Sequence, residues 1–241
     1  LHYRAGTAGG LFVAPTLNGD QEALCPRQCQ GSVAALGGRF EAAFELTHEL
    51  GFGAELGVGY LFAGQSFSRA AFDEFETTSV SYALLQELVM GGAYFRAAAV
   101  AGLPLGRGFS LRTALGGGLI NASFEARAGG VAGTTGTEVT PAAGFDYTQV
   151  RELLPVVTTG IRLRRALGAL DISLGLGAWF VFQQGPRFSE AQLQLVESSC
   201  PDPGRTETVG CAAGASDLLG RERIHGWFAA LTPELAVQYR F

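Results

Sequence analysis

The sequence predicts an all-β fold: a closed antiparallel up-and-down transmembrane β-barrel of eight strands, with ten strands as the alternative. Three observations support this prediction. Apolar residues alternate with glycine and charged residues, no apolar run is long enough for a membrane-spanning helix, and the connections between strands alternate between short and long. Together they indicate that the chain crosses a membrane with strands.

The composition is apolar for a water-soluble domain. Of the 241 residues, 47% are hydrophobic and 16% are charged, and many of the 35 glycines lie within the apolar segments. A soluble domain usually carries more charge on its surface. Glycine, arginine or glutamate interrupts every candidate for the run of about 20 apolar residues that a membrane helix requires. A closed barrel is the other way to satisfy every backbone amide in lipid.

Alternation with a period of two identifies the strands. In residues 52–62 the even positions are apolar, and Gly53, Glu55 and Gly57 fall between them. Residues 170–183 repeat this pattern, which a helix would mix because it brings positions three and four apart together. The same interpretation places strands near residues 3–15, 32–47, 51–67, 80–103, 108–126, 149–165, 169–184 and 226–241.

The predicted connections divide into two classes by length. Short periplasmic turns and long extracellular loops are typical of bacterial outer-membrane barrels. We therefore expect one domain over residues 1–241, integral to the bacterial outer membrane, with both termini in the periplasm. Leu193 and Leu195 alternate with glutamines in the last connection, so an additional strand pair remains open. The short links lie near residues 48–51, 104–107 and 166–168, and the long connections near 17–31, 68–79, 127–148 and 185–225.

Two prolines, Pro155 and Pro233, interrupt predicted strands. Neither can donate a backbone hydrogen bond, and a closed barrel has no free edge where the missing donor would be harmless. We therefore expect β-bulges at both positions.

The residue types indicate which face meets lipid. Glycine and alanine recur on the polar parity, as expected in a narrow lumen, whereas a solvated exterior would favour charged and hydroxyl side chains. Aromatic residues on the apolar parity form two bands near the strand ends, which matches the interfacial girdles of membrane barrels. The turn-side band is Tyr3, Phe44, Phe52, Phe95, Phe109, Tyr239 and Phe241, and the loop-side band is Tyr60, Phe62, Phe180, Phe182 and Trp227.

The last strand carries the most specific resemblance. Val237, Tyr239 and the final Phe241 occupy alternate positions, and this resembles the signal that outer-membrane proteins present to the barrel-assembly machinery. The whole chain resembles the small eight-stranded OmpA/OmpX-type barrels in layout, without a family-specific functional motif. Because the chain stops at Phe241, we expect no peptidoglycan-binding domain after the barrel.

The inward parity carries charges of both signs, and we expect them to pair because an unpaired buried charge is costly. An eight-stranded barrel has an interior just wide enough for side chains to fill. A plugged polar lumen held by salt bridges is therefore the preferred interpretation, and an ion or proton path is the alternative. The predicted lumen network is Arg4, Arg39, Glu41, Glu45, Glu55, Arg96, Arg112, Glu152, Arg162, Arg164, Asp171, Glu234 and Arg240.

Catalysis is not expected. His2 and His48 fall on the short-turn side, away from the lipid A of the outer leaflet, while His225 lies near Ser216 and the acidic Asp217 and Glu222. A Ser/His/acid set can be drawn at this rim. Polar loops produce such coincidences readily, and the sequence lacks a serine hydrolase elbow, a phosphate-binding loop and an HExxH motif.

No metal or other cofactor is expected either. The four cysteines, Cys25, Cys29, Cys200 and Cys211, fall in external loops, which favours disulfides whose pairing stays open. A thiolate metal site is the alternative, but no nearby histidine completes it. The acidic Asp73, Glu74 and Glu76 lack the ordered spacing of a calcium loop.

Three hypotheses about function are considered, of which the enzymatic one is the least favoured. The first is an interaction role, in which the barrel displays its loops to a protein partner, the outer leaflet or the surroundings. The second is a small channel for ions or amphipathic solutes, and the third is modification of lipid A. Expected partners are outer-membrane lipid, lipopolysaccharide and the assembly machinery. Nucleic acid is excluded, because the net charge is −5 and no basic cluster is present.

Overall fold

The computed structural model describes residues 1–15, 17, 29–31, 34–75, 78–134, 137–141, 145–146, 150–182 and 227–241. These residues contain no helix that is long and apolar enough to cross a membrane. Eight long strands form the wall, and three short strands pair beside it. In chain order the strands are β1 (His2–Ala14), β2 (Cys29–Gly31), β3 (Ala35–Thr47), β4 (Phe52–Phe75), β5 (Thr78–Gly106), β6 (Phe109–Thr134), β7 (Thr137–Pro141), β8 (Phe145–Asp146), β9 (Val150–Leu167), β10 (Leu170–Phe182) and β11 (Trp227–Arg240).

The wall is a closed ring of antiparallel neighbours in the order β1, β3, β4, β5, β6, β9, β10 and β11. The ring closes where β1 pairs with β11, for example at Thr7 and Val237. The eight-stranded barrel that the sequence predicts is confirmed. The short β2, β7 and β8 pair with β4 and β6 and do not enter the ring.

The register shows how steeply the strands tilt. A path that follows cross-strand partners around the barrel returns to β1 displaced from residue 13 to residue 3, a stagger of ten residues. Such a stagger in an eight-stranded barrel requires strands tilted by about 35–45°, with an interior that side chains can fill. The path runs through Val13, Leu231, Ala178, Thr159, Leu115, Ala99, Ala54, Leu46 and Tyr3.

Three tight turns close the short-turn end of the barrel. Gly51 has φ +86°, and its N–H donates to the His48 carbonyl at 2.9 Å. A Cβ at Gly51 would also lie 2.5 Å from the Gly102 carbonyl oxygen, so the position requires glycine for two reasons. The turn after β5 contains Arg107 at φ +53°.

The prediction of β-bulges at Pro155 and Pro233 is wrong. Both prolines lie in strands whose register is continuous, with Pro155 opposite Leu119 and Pro233 opposite Leu176. The missing donors are accommodated by gaps in a neighbouring ladder. The described pairs of β9 with β10 end at Val156, one residue from Pro155. The described pairs of β1 with β11 include Gly10 with Glu234 but none at Pro233.

Three consecutive strands are longer than the sequence predicts. β4, β5 and β6 have 24, 29 and 26 residues, whereas β1, β3 and β10 have 13 each. Residues 68–79, predicted as a loop, continue the β4–β5 ladder as far as the pair Phe75 and Thr78. Part of the predicted loop at 127–148 is likewise strand, because β6 runs to Thr134. Outside the bilayer, water can bind the backbone groups that strand pairing leaves open. Neither face of the sheet then has to be apolar, so the alternation signal fades before the strands end.

The two faces of the wall differ as the alternation predicts. Apolar side chains on the outward parity are exposed, for example Leu174 at 68% and Val58 at 55%, whereas the inward Glu41, Glu45 and Glu55 are fully buried. A barrel with an apolar outer surface and a charged interior would be unstable in water. The chain is therefore a transmembrane barrel with its apolar face toward lipid.

The barrel lumen as candidate functional site

A closed ring of alternating charges crosses the lumen. It contains three arginines and three glutamates, and every member is buried. Each guanidinium contacts two carboxylates, and each carboxylate contacts two guanidiniums, so no charge in the ring lacks a counter-ion. In order around the ring the residues are Arg39, Glu41, Arg96, Glu55, Arg162 and Glu234, and Glu234 contacts Arg39 again.

The geometry within this charge ring is strongest at Arg96. Its Nε donates to Glu41 Oε2 at 2.7 Å, and its Nη2 donates to Glu41 Oε1 at 2.5 Å. The second carboxylate of Arg96 is Glu55, which also accepts from Arg162 Nη1 at 2.7 Å. These residues come from four strands, so the ring links distant parts of the wall. A two-pronged guanidinium–carboxylate contact also fixes orientation, which a single ion pair does not.

A second group of charges lies on the turn side of the charge ring. Glu45 is its centre: Oε1 accepts from Arg4 Nη1 at 2.7 Å, and Oε2 lies 2.7 Å from Arg112 Nη2 and 2.8 Å from Arg164 Nη2. Arg4 also donates through Nε to Asp171 at 2.9 Å. One carboxylate thus serves three guanidiniums, and this turn-side group carries more positive than negative charge. At the rim, Arg240 lies 3.7 Å from Asp171 and adds to that excess.

The loop-side part of the lumen is apolar, contrary to the prediction of a polar lumen. Phe12, Phe124, Phe228 and Ile120 are almost completely buried there, together with Leu17 just beyond β1. Near this end the inward positions of several strands change from charged to large apolar residues. The polar interpretation came from the charges of the central and turn-side segments and does not hold for the whole length of the lumen.

Trp179 joins the apolar cluster to the charge ring. The guanidinium of Arg39 lies 5.4 Å from the centroid of its indole ring, and Tyr94 packs edge-on at 4.9 Å. The ring of Phe12 packs edge-on against the same indole, with 6.1 Å between the ring centroids. Tyr94 in turn donates through its hydroxyl to Glu41 Oε2 at 3.0 Å.

Sequence reasoning missed Trp179 as a lumen residue with a role. Trp179 lies on the inward parity of its strand, between Gly177 and Val181, where small or charged residues were expected. That position could have indicated a packed cluster inside the barrel.

A small cavity lies at the charge ring. Its volume is about 20 Å³, room for roughly one water-sized molecule. Arg39, Arg96, Arg162 and Glu234 line it together with Thr232, and Trp179 contributes to its wall.

The other predicted residues take separate positions. Glu152 is half-buried opposite Ala122, nearer the loop side than the charge ring. Val237, Tyr239 and Phe241 face outward and are exposed. The thirteen predicted lumen residues therefore fall into the charge ring, the turn-side group and the separate Glu152.

The predicted loop sites lie largely outside the described residues. This applies to His225, to Ser216, Asp217 and Glu222, to Glu76, to Cys25, Cys200 and Cys211, and to residues 191–197. Cys29 in β2 and Asp73 and Glu74 in β4 are placed by their backbone alone. Within the part of the chain that the structure describes, no group of three or more histidine, cysteine or acidic residues could hold a metal ion. His48 accepts a hydrogen bond from the Leu50 N–H at 3.3 Å and belongs to a turn.

No protein-family profile and no curated protein matches the chain. Among solved structures, the chain is similar to a major outer membrane protein of Thermus thermophilus, with 12% identity and a TM-score of 0.41 over 100% of this chain and 99% of that chain. It is similar to Neisserial surface protein A, with 10% identity and a TM-score of 0.37 over 100% and 97%. It is also similar to Ail, the attachment invasion locus protein of Yersinia pestis, with 10% identity and a TM-score of 0.32 over 100% of both chains. Likeness at this level does not extend to function. The eight-stranded architecture itself is that of a small outer-membrane barrel, as the resemblance to OmpA/OmpX-type barrels implies.

Proposed function

We propose that this protein is a closed anchor in the bacterial outer membrane that presents its loops and an extended sheet to an external partner. One observation carries this proposal: β4, β5 and β6 run far beyond the neighbouring strands. A transmembrane strand needs about 9–11 residues. The 29 residues of β5 would extend about 95 Å at roughly 3.3 Å per residue, more than twice the length of a 13-residue strand.

The excess forms a three-stranded sheet beyond the barrel rim, which we name the projecting sheet (residues 65–75, 78–88 and 125–134). Gly64 is the last residue of β4 that pairs with β3, and Phe124 is the last residue of β6 that pairs with β9. Beyond these residues the three strands pair chiefly with one another. A membrane plug would not require this addition, whereas a surface for contact would.

The projecting sheet has an edge suited to strand addition. In the described part of the chain, residues 70–75 of β4 pair with β5 on one side only, and β2 covers just Phe67 to Arg69 on the other side. Unpaired backbone groups on an edge strand accept an extended polypeptide segment. We therefore propose a protein partner that binds in extended conformation.

Two barriers in series support a closed lumen. The charge ring occupies the middle of the barrel, and the apolar cluster occupies the loop side. Ions would have to break buried ion pairs and then cross a dry, packed layer. The proposal therefore assigns the lumen a structural role and puts recognition outside the membrane.

We also propose that the turn side faces the periplasm. β1 begins and β11 ends on that side, where the Phe241 N–H donates to the Tyr3 carbonyl at 3.1 Å. The tight turns extend little beyond the bilayer, as periplasmic turns do in such barrels. The projecting sheet lies at the opposite end of the barrel.

Site-specific photo-crosslinking in intact cells tests the display role. A photoreactive residue replacing Ala71 on the β4 edge should capture an external protein, and the same residue at Arg107 in a turn should not. Proline at position 72 or 73, combined with the photoreactive residue at position 71, removes one backbone donor. One of the two prolines replaces a residue whose N–H points away from β5, toward the partner. That variant should no longer capture the partner, although its barrel still inserts into the membrane. Capture that survives both prolines, or none at Ala71, would contradict the proposal.

Planar bilayer recordings test the closed lumen. Purified barrel should give no stable conductance. Stable channels that change in Arg96→Ala or Glu55→Ala would instead support the channel function.

Enzymatic activity is not part of the proposed function. Overexpression should leave the mass of lipid A unchanged. A mass change that disappears in His225→Ala would overturn this statement and establish the enzyme alternative.

A further inference from the structure

The cavity at the charge ring has an unbalanced wall. Three guanidiniums, those of Arg39, Arg96 and Arg162, line it, whereas Glu234 is the one carboxylate that the described residues contribute to the lining. Glu41 and Glu55 neutralise the same arginines but do not line the cavity. The side chains that line the cavity directly therefore include more guanidiniums than carboxylates.

Two hydrogen-bonding groups at this cavity lack partners among the described residues. The Thr232 hydroxyl is fully buried and has no hydrogen-bond partner there, and the Nε of Arg39 is also unsatisfied although its other nitrogens are paired. Both groups can donate a hydrogen bond. Buried donors without partners are costly, and in native proteins they usually mark a bound water or ion.

Arginines also outnumber carboxylates among the ion pairs of the described lumen. The ion pairs of the charge ring and the turn-side group join seven arginines to five carboxylates. Adding Glu152 leaves an excess of one positive charge, which corresponds to the partly exposed Arg240 at the turn-side rim.

We propose that the cavity binds one small monovalent anion of the halide class, with chloride as the physiological occupant. The cavity volume of about 20 Å³ is enough for one small monatomic ion. Trp179 lines the cavity and packs against Phe12 of the apolar cluster. This inference is independent of the display function, since it concerns the lumen alone.

Bromide tests the location. Crystals of the barrel grown in sodium bromide should show one anomalous peak inside the charge ring, within contact distance of the Thr232 hydroxyl and the Arg39 Nε. An ordered water without anomalous signal at that position would overturn the proposal.

Chloride dependence of unfolding tests binding in solution. In detergent micelles, the urea midpoint of the folded barrel should rise with sodium chloride and stay lower in sodium gluconate of equal ionic strength. Gly177→Ala places a Cβ against the Thr232 hydroxyl and should abolish the difference. Gly9→Ala is the matched control, because its Cβ points outward with the nearest atom 3.9 Å away, and it should retain the difference.

A second variant protects the test against misfolding. Thr232→Val keeps the shape but removes the unpaired hydroxyl, so it should reduce the chloride effect even if Gly177→Ala does not fold. Equal midpoints in the two salts for the unmodified barrel would overturn the proposal. A chloride effect that persists unchanged in Thr232→Val would also overturn it, since binding would then lie elsewhere on the protein.

Discussion

Glu45 and Glu55 lie directly opposite each other on β3 and β4, and both carboxylates are fully buried. Like charges at opposed positions of a sheet repel. The barrel tolerates the pair because each carboxylate has its own arginines: Arg96 and Arg162 hold Glu55, while the turn-side group surrounds Glu45. The two charge clusters of the lumen meet at this pair.

Replacing either carboxylate should therefore destabilise the barrel rather than relieve repulsion. Glu55→Gln leaves two buried guanidiniums short of one counter-ion each, and breaking a buried pair costs about 3–5 kcal/mol. Glu45→Gln deprives three arginines and should cost at least as much. Urea unfolding in detergent measures the loss. Glu49→Gln in the exposed turn is the control and should stay within about 0.5 kcal/mol of the unmodified protein. A stabilised Glu55→Gln barrel would mean that repulsion outweighs the ion pairs.

Trp179→Ala should remove the contact between the apolar cluster and the charge ring. The lost packing and the resulting cavity cost about 3–5 kcal/mol. Trp179→Phe should retain much of the stability, because a phenyl ring keeps the aromatic contacts with Tyr94 and Phe12. The free energy of unfolding distinguishes the two. Trp227 is exposed on the outer face, so Trp227→Ala should cost less than Trp179→Ala. Equal losses for the two alanine variants would contradict the inward role of Trp179.

Depth in the bilayer should control the cost of a charge on the outer face. Leu174 is exposed on the outer face away from the strand ends, and Leu174→Arg should destabilise the barrel by about 2–4 kcal/mol. Val237 lies nearer the turn-side end of β11, and Val237→Arg should cost less, since the cost falls to about 0–1 kcal/mol near the interface. Unfolding of both variants in lipid vesicles measures the difference. An equal cost at the two positions would be inconsistent with membrane insertion of this face.

Small residues in the lumen should be replaceable only where space permits. A Cβ at Gly57 would lie 2.8 Å from Glu41 Cδ, so Gly57→Ala must displace a member of the charge ring. Overpacking of this kind costs about 1–3 kcal/mol. Gly9→Ala adds the same methyl group on the outer face and should be nearly neutral. If both variants unfold at the same urea concentration, the lumen is looser at Gly57 than its geometry implies.

The period of two was sufficient to predict the fold, because in a barrel every strand must sort its residues between lipid and lumen. Leu174 and Glu55 could be assigned to opposite faces from the sequence without knowing any contact. The partners of Glu55 could not, since Arg96 and Arg162 are brought to it by strand register and tilt. Local alternation carries no information about either.

The ends of β4, β5 and β6 were beyond sequence reasoning for a related reason. Past Gly64, pairing continues in the absence of lipid, so no membrane selects apolar residues on one parity. The apolar cluster was missed because Trp179 and Phe228 stand on the parity that the neighbouring charges had marked as polar. The positions of these residues along the barrel axis, which the structure provides, distinguish the apolar loop side of the lumen from its charged centre and turn side.

The pairing of β1 with β11 has a consequence for how the barrel forms. It joins Arg4 to Arg240, so this ladder can be completed only after nearly the whole chain has been synthesised and positioned. Bringing such distant segments together carries the largest loop-closure entropy in the molecule. The same ladder lacks described pairs at Leu11 and Phe12, which lie opposite Pro233 and Thr232 of β11. We therefore expect this seam between the first and last strands to close last during folding.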